Sequence, residues 1–78
     1  MKVKIYYYAL TSSEIEVDDK FSAILNKPEW GNVEENRAHE DLVDEFTKVV
    51  SKQIDEVYDR DDIYGAYDMD GNLLVDCY

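Results

Sequence analysis

The chain has 78 residues, with 19 acids against 8 bases for a formal net charge of −11, yet 45% of it is apolar and seven residues are tyrosine. A chain this short buries only about 60% of its unfolded surface around one core, so a single domain over residues 1–78 with a narrow stability margin is expected. The apolar content excludes a disordered chain, and the negative field excludes direct nucleic-acid or anionic-membrane binding while attracting basic surfaces.

No stretch approaches the length of a membrane span, and the opening MKVKIYYYAL has no small-residue cleavage site after its apolar run. Cys77 is the lone cysteine. An unpaired thiol fits a reducing compartment, so a cytoplasmic protein is expected.

Lys2 to Leu10 alternates Lys2, Lys4, Tyr6 and Tyr8 with Val3, Ile5, Tyr7 and Ala9, a period of two that predicts a strand. Thr11-Ser12-Ser13-Glu14 matches a capping box. Val17, Phe21, Ile24 and Leu25 then share a helical face, which predicts a short helix within about residues 14 to 27, ended by Pro28 and Gly31. The segment SEIEV can also extend as a strand.

Leu42, Phe46, Val49, Val50, Ile54 and Val57 form one broad stripe at 100° per residue, the mark of an amphipathic helix. Its start is ambiguous, because Asn32 with Glu35 imitates a capping box while the apolar period begins only near Ala38. Asp44/Lys48 and Lys52/Glu56 on the opposite side stand at i,i+4 spacing, each pair worth a few tenths of a kcal/mol.

Asp70-Gly71 between two apolar, aromatic runs predicts a two-residue type I′ hairpin turn joining residues 63–68 to 73–78. In that register Tyr64, Ala66, Leu73, Val75 and Cys77 share the core face. Ile63, Tyr67, Leu74, Asp76 and Tyr78 share the other. The elements together predict an α+β two-layer sandwich in the order β-α-α-β-β, with about three mostly antiparallel strands and both helices on one face. Tyr6, Tyr8, Tyr67, Tyr78, Ile63 and Leu74 would then point from an uncovered sheet face, a contiguous patch that calls for a partner or a second copy of the chain.

The segment YDRDDIYGAYDMDG, Tyr58 to Gly71, crowds five aspartates and three tyrosines around one arginine. An EF-hand calcium loop needs glycine at its sixth position and an acid at its twelfth. Counting from Asp59 the sixth residue is Tyr64, and from Asp68 it is Leu73, so the motif fails and no metal or cofactor is expected. The simplest reading of DMDGN is turn chemistry. Covalent catalysis needs a nucleophile beside a base, and spacing gives no reason to pair Cys77 with His39. Acid pairs such as Asp61/Asp62 need a cleft and perturbed pKa values for acid–base work. No enzyme is expected.

Tyrosine supplies large rigid contacts with a hydrogen-bonding tip, and acids around it steer a basic partner. Residues 55–78 carry eight acids against Arg60 alone. In size and acidic build the chain resembles the small phage-encoded inhibitors of bacterial defence, the anti-CRISPR and anti-restriction DNA-mimic proteins, which share no motif from which a residue could be carried over. A local segment, KPEWGN, is similar in Pro28, Trp30, Gly31 and Asn32 to one in barstar-like ribonuclease inhibitors. Both resemblances imply inhibition of a protein that handles nucleic acid, and the first implies, for a phage-encoded chain, the host cytoplasm.

The expected function is thus a non-enzymatic binding protein that masks the cationic surface of a nucleic-acid-binding defence complex or nuclease. Asp59, Asp61, Asp62, Asp68 and Asp70 would supply charge, and Tyr6, Tyr8, Tyr67 and Tyr78 the contacts. Trp30 is either a further anchor or core packing. The alternatives are a homodimeric structural or regulatory subunit joined through the tyrosine face, and a barstar-like inhibitor or divalent-metal module.

Overall fold

The computed structural model describes residues 1–7, 11–25 and 33–76. Its class is α+β, with four antiparallel strands rather than three: β1 (Lys2–Tyr7), β2 (Ser12–Glu16), β3 (Ile63–Asp68) and β4 (Leu73–Asp76), in the order β2-β1-β3-β4. Helix α1 (Val33–Gln53) and a 3₁₀ segment (Asp19–Leu25) complete the second layer.

The added strand replaces the first half of the expected short helix. Ser13-Glu14-Ile15-Glu16-Val17 alternates, and as a strand it hangs on β1 with Ile15 opposite Val3, so one side of the segment is buried. That long-range pairing outweighs a local capping box. The chain turns helical only after Asp18, whose side chain accepts from Lys20 N at 2.9 Å and whose carbonyl accepts from Phe21 N at 3.1 Å. Phe21 and Ile24 are buried as their spacing implies, while Leu25 is exposed.

In α1, Glu34 and Glu35 in the first turn and Lys52 in the last oppose the helix dipole favourably. Val43, Phe46 and Val50 are fully buried and Leu42 and Val49 pack at their margin, so the apolar stripe does face the sheet. Ile54 and Val57 are buried too, but beyond the helix: the last helical bond runs from Ile54 N to Val50 O at 2.9 Å, and a turn then carries the chain to β3. The first two turns project past the core, with residues 33–38 all exposed. No ion pair joins Asp44 to Lys48 or Lys52 to Glu56. Glu45 instead pairs with Lys20 of the 3₁₀ segment, and Glu40 with Arg60 at 3.0 Å.

One buried cluster joins Val3, Ile5 and Tyr7 to Ile15, Ile63, Ala66, Leu74 and Val75 and to the apolar residues of α1 and the 3₁₀ segment. The rings of Phe21 and Phe46 meet edge to face, 5.4 Å between centroids. Burying such a ring contributes about 1.5–3 kcal/mol, a large share of the margin available to a domain this small.

The strand register departs from expectation in three places. Asp68 N donates to Asn72 O and Gly71 N to Asp68 O, with Gly71 at φ 87°, so the loop has three residues, Met69 to Gly71. A turn followed by a left-handed glycine is the usual three-residue solution, and Tyr67 consequently faces Leu73 rather than Leu74. Leu74 then becomes an extra residue before Ala66 pairs with Val75, and Tyr64 is an extra residue between the pairs Tyr6–Gly65 and Tyr7–Ile63. Each bulge shifts the alternation by one. Ile63 and Leu74, expected outside, are therefore buried, and Tyr64 and Leu73, expected inside, are exposed.

Candidate functional site

The helices lie against one side of the sheet, and the outer side carries Lys4 and Tyr6 from β1, Tyr64 and Tyr67 from β3, and Leu73 opposite Tyr67. Tyr64 is 55% exposed, Met69 of the hairpin loop 56% and Leu73 41%. Tyr6 and Tyr67 are half-buried because they cover one another, ring edge to ring face, with centroids 5.7 Å apart. Such a pair contributes about 0.5–1.5 kcal/mol beyond its buried area.

Lys4, Tyr6, Tyr64, Gly65, Tyr67 and Met69 line an open groove of about 590 Å³ along these two central strands. Gly65 forms its floor. Tyr67 lies over that glycine, and this fills the space a side chain would otherwise occupy. The Lys4 ammonium sits 5.3 Å from the centre of the Tyr6 ring.

Tyr6 and Tyr67 thus occupy the uncovered face as their alternation predicts, whereas Tyr8, Trp30, Cys77 and Tyr78 lie outside the described residues. Tyr64, absent from the expected contact set, is the most exposed ring in the groove. A signal for it was present in the sequence, since an isolated glycine within a strand, Gly65, marks a bulge beside it.

The acids occupy two places, one at each end of β3. At its start Asp59 accepts from Asp61 N at 2.9 Å, and Asp62 accepts from Tyr58 N at 2.8 Å and Asp59 N at 3.1 Å, a reciprocal cap on a single 3₁₀ turn at residues 60–62. At its end Asp68 accepts from Asp70 N, Asn72 N and Asn72 Nδ2 at 2.8–2.9 Å. The Asn72 side-chain and backbone donors hold the Asp68 carboxyl below the usual carboxylate range. Asp59, Asp62 and Asp68 therefore organise turns, while Asp61 and Asp70 stand at the surface. A six-residue strand separates the two groups by about 20 Å.

His39 bridges α1 to the 3₁₀ segment through Nε2, 3.0 Å from the Ile24 carbonyl, so that nitrogen carries the proton and donates. Among the described residues no three histidine, cysteine or acid side chains are placed to hold a metal ion, and no helix is long and apolar enough to cross a membrane. Comparison of the chain with protein-family models, curated proteins and solved structures gives no match. The reading of this face therefore rests on its own chemistry.

Proposed function

We propose that the chain is a non-enzymatic binding protein that docks through the outer face of its sheet onto a cationic protein surface and covers it. The observation that carries this is the uncovered row Tyr6, Tyr64, Tyr67, Met69 and Leu73, bounded at both ends of β3 by aspartates, in a chain of net charge −11. A monomer gains nothing from leaving such a row in water, and the rings supply contact area at low entropic cost. Asp61 and Asp70 act at the rim, where charge governs the rate of encounter more than the lifetime of the complex.

Nucleic-acid-binding proteins carry extended cationic grooves, so the partner class is a nuclease or guide complex of the kind that anti-CRISPR and anti-restriction proteins block. Occlusion there is steric and electrostatic, without turnover. The test uses the immobilised chain to retrieve partners from a bacterial cytosol, followed by binding of the purified partner with and without its oligonucleotide. Mutual exclusion with the oligonucleotide and weakening by salt are expected. A partner that holds chain and oligonucleotide together overturns occlusion, and affinity unchanged by salt removes the electrostatic half.

A second reading is favoured by the same contiguous row: two copies joined face to face through it. Light scattering that shows a tight dimer in the absence of any partner selects that reading.

A further inference from the structure

One charge in the groove runs against the rest of the molecule. Lys4 stands directly across the β1–β2 ladder from Glu14, yet its ammonium lies over the Tyr6 ring, and it makes no ion pair with a described residue. The other charged residue of the lining is Asp68, whose carboxylate already accepts three hydrogen bonds from the hairpin. The groove thus sets one cation and one hydrogen-bonded carboxylate among three phenol rings and a thioether. We propose that it binds a planar aromatic carboxylate, the ring lying among Tyr6, Tyr64 and Tyr67 and the carboxylate meeting the Lys4 ammonium.

The dimensions agree with that class. About 590 Å³ falls in the range of small-molecule sites, which combine mostly apolar walls with a few polar groups that fix orientation. Tyrosine faces accept an arene by offset or edge contact, and Gly65 lets the Tyr67 ring lie down over the strand, which leaves the groove open beside it. The net charge of −11 opposes any anion at long range, but charges beyond about 8 Å are largely screened at physiological salt, so the groups at the groove decide. Lys4 attracts the carboxylate, while Asp68 and Glu14 oppose it and keep the preference small. The proposal does not depend on the inhibitor reading, because a small ligand can be titrated with no partner protein present.

The experiment follows the tyrosine ring resonances by NMR at physiological ionic strength while indole-3-acetate, indole and tryptamine are added separately. These probes share one ring and carry negative, zero and positive charge. Indole-3-acetate should saturate Tyr6, Tyr64 and Tyr67 together, ahead of indole, with tryptamine last. Lys4→Met should weaken indole-3-acetate about fivefold, to the level of indole, and leave indole unchanged, whereas Lys4→Arg should retain the preference. Tryptamine binding as tightly as indole-3-acetate overturns the proposal, as does an absence of ring shifts with every probe or a Lys4→Met chain with unaltered preference. Should Lys4→Met fail to fold, the ranking of the probes on the native chain decides alone.

Discussion

The ring of Tyr67 lies across Gly65, two residues back on the same strand, so closely that a Cβ at Gly65 would stand 3.1 Å from Tyr67 Cε1. Tyr6 faces Gly65 from β1 and completes the packing through its own edge contact with Tyr67. The missing side chain is therefore what lets the Tyr67 ring lie across the strand with the Tyr6 ring set edge to face against it, and so form a groove.

Gly65→Ala should push the Tyr67 ring outward, since the crowding atom belongs to a half-buried side chain that can move. The chain is expected to fold with a loss of about 1 kcal/mol, and the Tyr6–Tyr67 contact should disappear. Near-ultraviolet circular dichroism and ring-to-ring nuclear Overhauser effects report both. An unchanged tyrosine signal would mean that the glycine has no part in shaping the groove.

Phe46→Ala removes a fully buried ring and its edge contact with Phe21. The expected cost is about 3–5 kcal/mol, comparable to the whole stability of a domain this size. Loss of cooperative thermal unfolding should follow, and a sharp transition near the parent's temperature would contradict the packing described here.

Thr47 is buried, and its hydroxyl donates at 2.9 Å to the Val43 carbonyl one turn back in α1. Such back-bonding adds little to a helix, and the hydroxyl is withdrawn from solvent. Thr47→Val should leave stability unchanged or raise it by up to about 1 kcal/mol in urea titration. A clear loss would assign the hydroxyl a partner other than the helix itself.

Asp68 sets a pH dependence of known sign. Its pKa is lowered in the folded chain by the Asn72 donors, so its contribution is complete above the ordinary carboxylate value near pH 4 and is lost as pH falls through the lower folded value. Asp68→Ala should therefore be less stable than the parent at neutral pH, and the gap should close on acidification below about pH 4. Urea midpoints measured across that interval test it. A gap that stays constant to low pH would assign the loss to something other than the carboxylate's charge.

The two groups of acids should behave differently towards a basic partner. Asp70→Asn removes a surface charge with no hydrogen bond to the turn lost, so its effect should be a slower association that vanishes at high salt, with stability unaltered. Asp59→Ala should lower stability as well, because the Asp61 amide loses its acceptor. Stopped-flow association beside thermal melts separates the two effects.

Much of this protein is determined by local pattern. The alternation in Lys2–Tyr7 is enough to place Val3, Ile5 and Tyr7 in the core and Tyr6 outside, because successive side chains of a strand must leave opposite faces. The spacing of Leu42, Phe46, Val49 and Val50 does the same for α1, and Gly71 marks the hairpin because its positive φ suits a residue without a Cβ. Tertiary pairing decided the rest. Ser12–Glu16 carries a capping signal and an alternating signal together, and only the free edge of β1 selects the strand. The face of Tyr64 depends on a bulge against β1, whose residues lie about sixty positions away in the chain, and the faces of Leu73 and Leu74 depend on a three-residue loop and a second bulge within the hairpin, neither of which can be counted from the Asp-Gly pair alone. The same pairing brings Lys4 and Tyr6 beside Tyr64 and Tyr67, and so the groove exists only once β1 and β3 lie side by side.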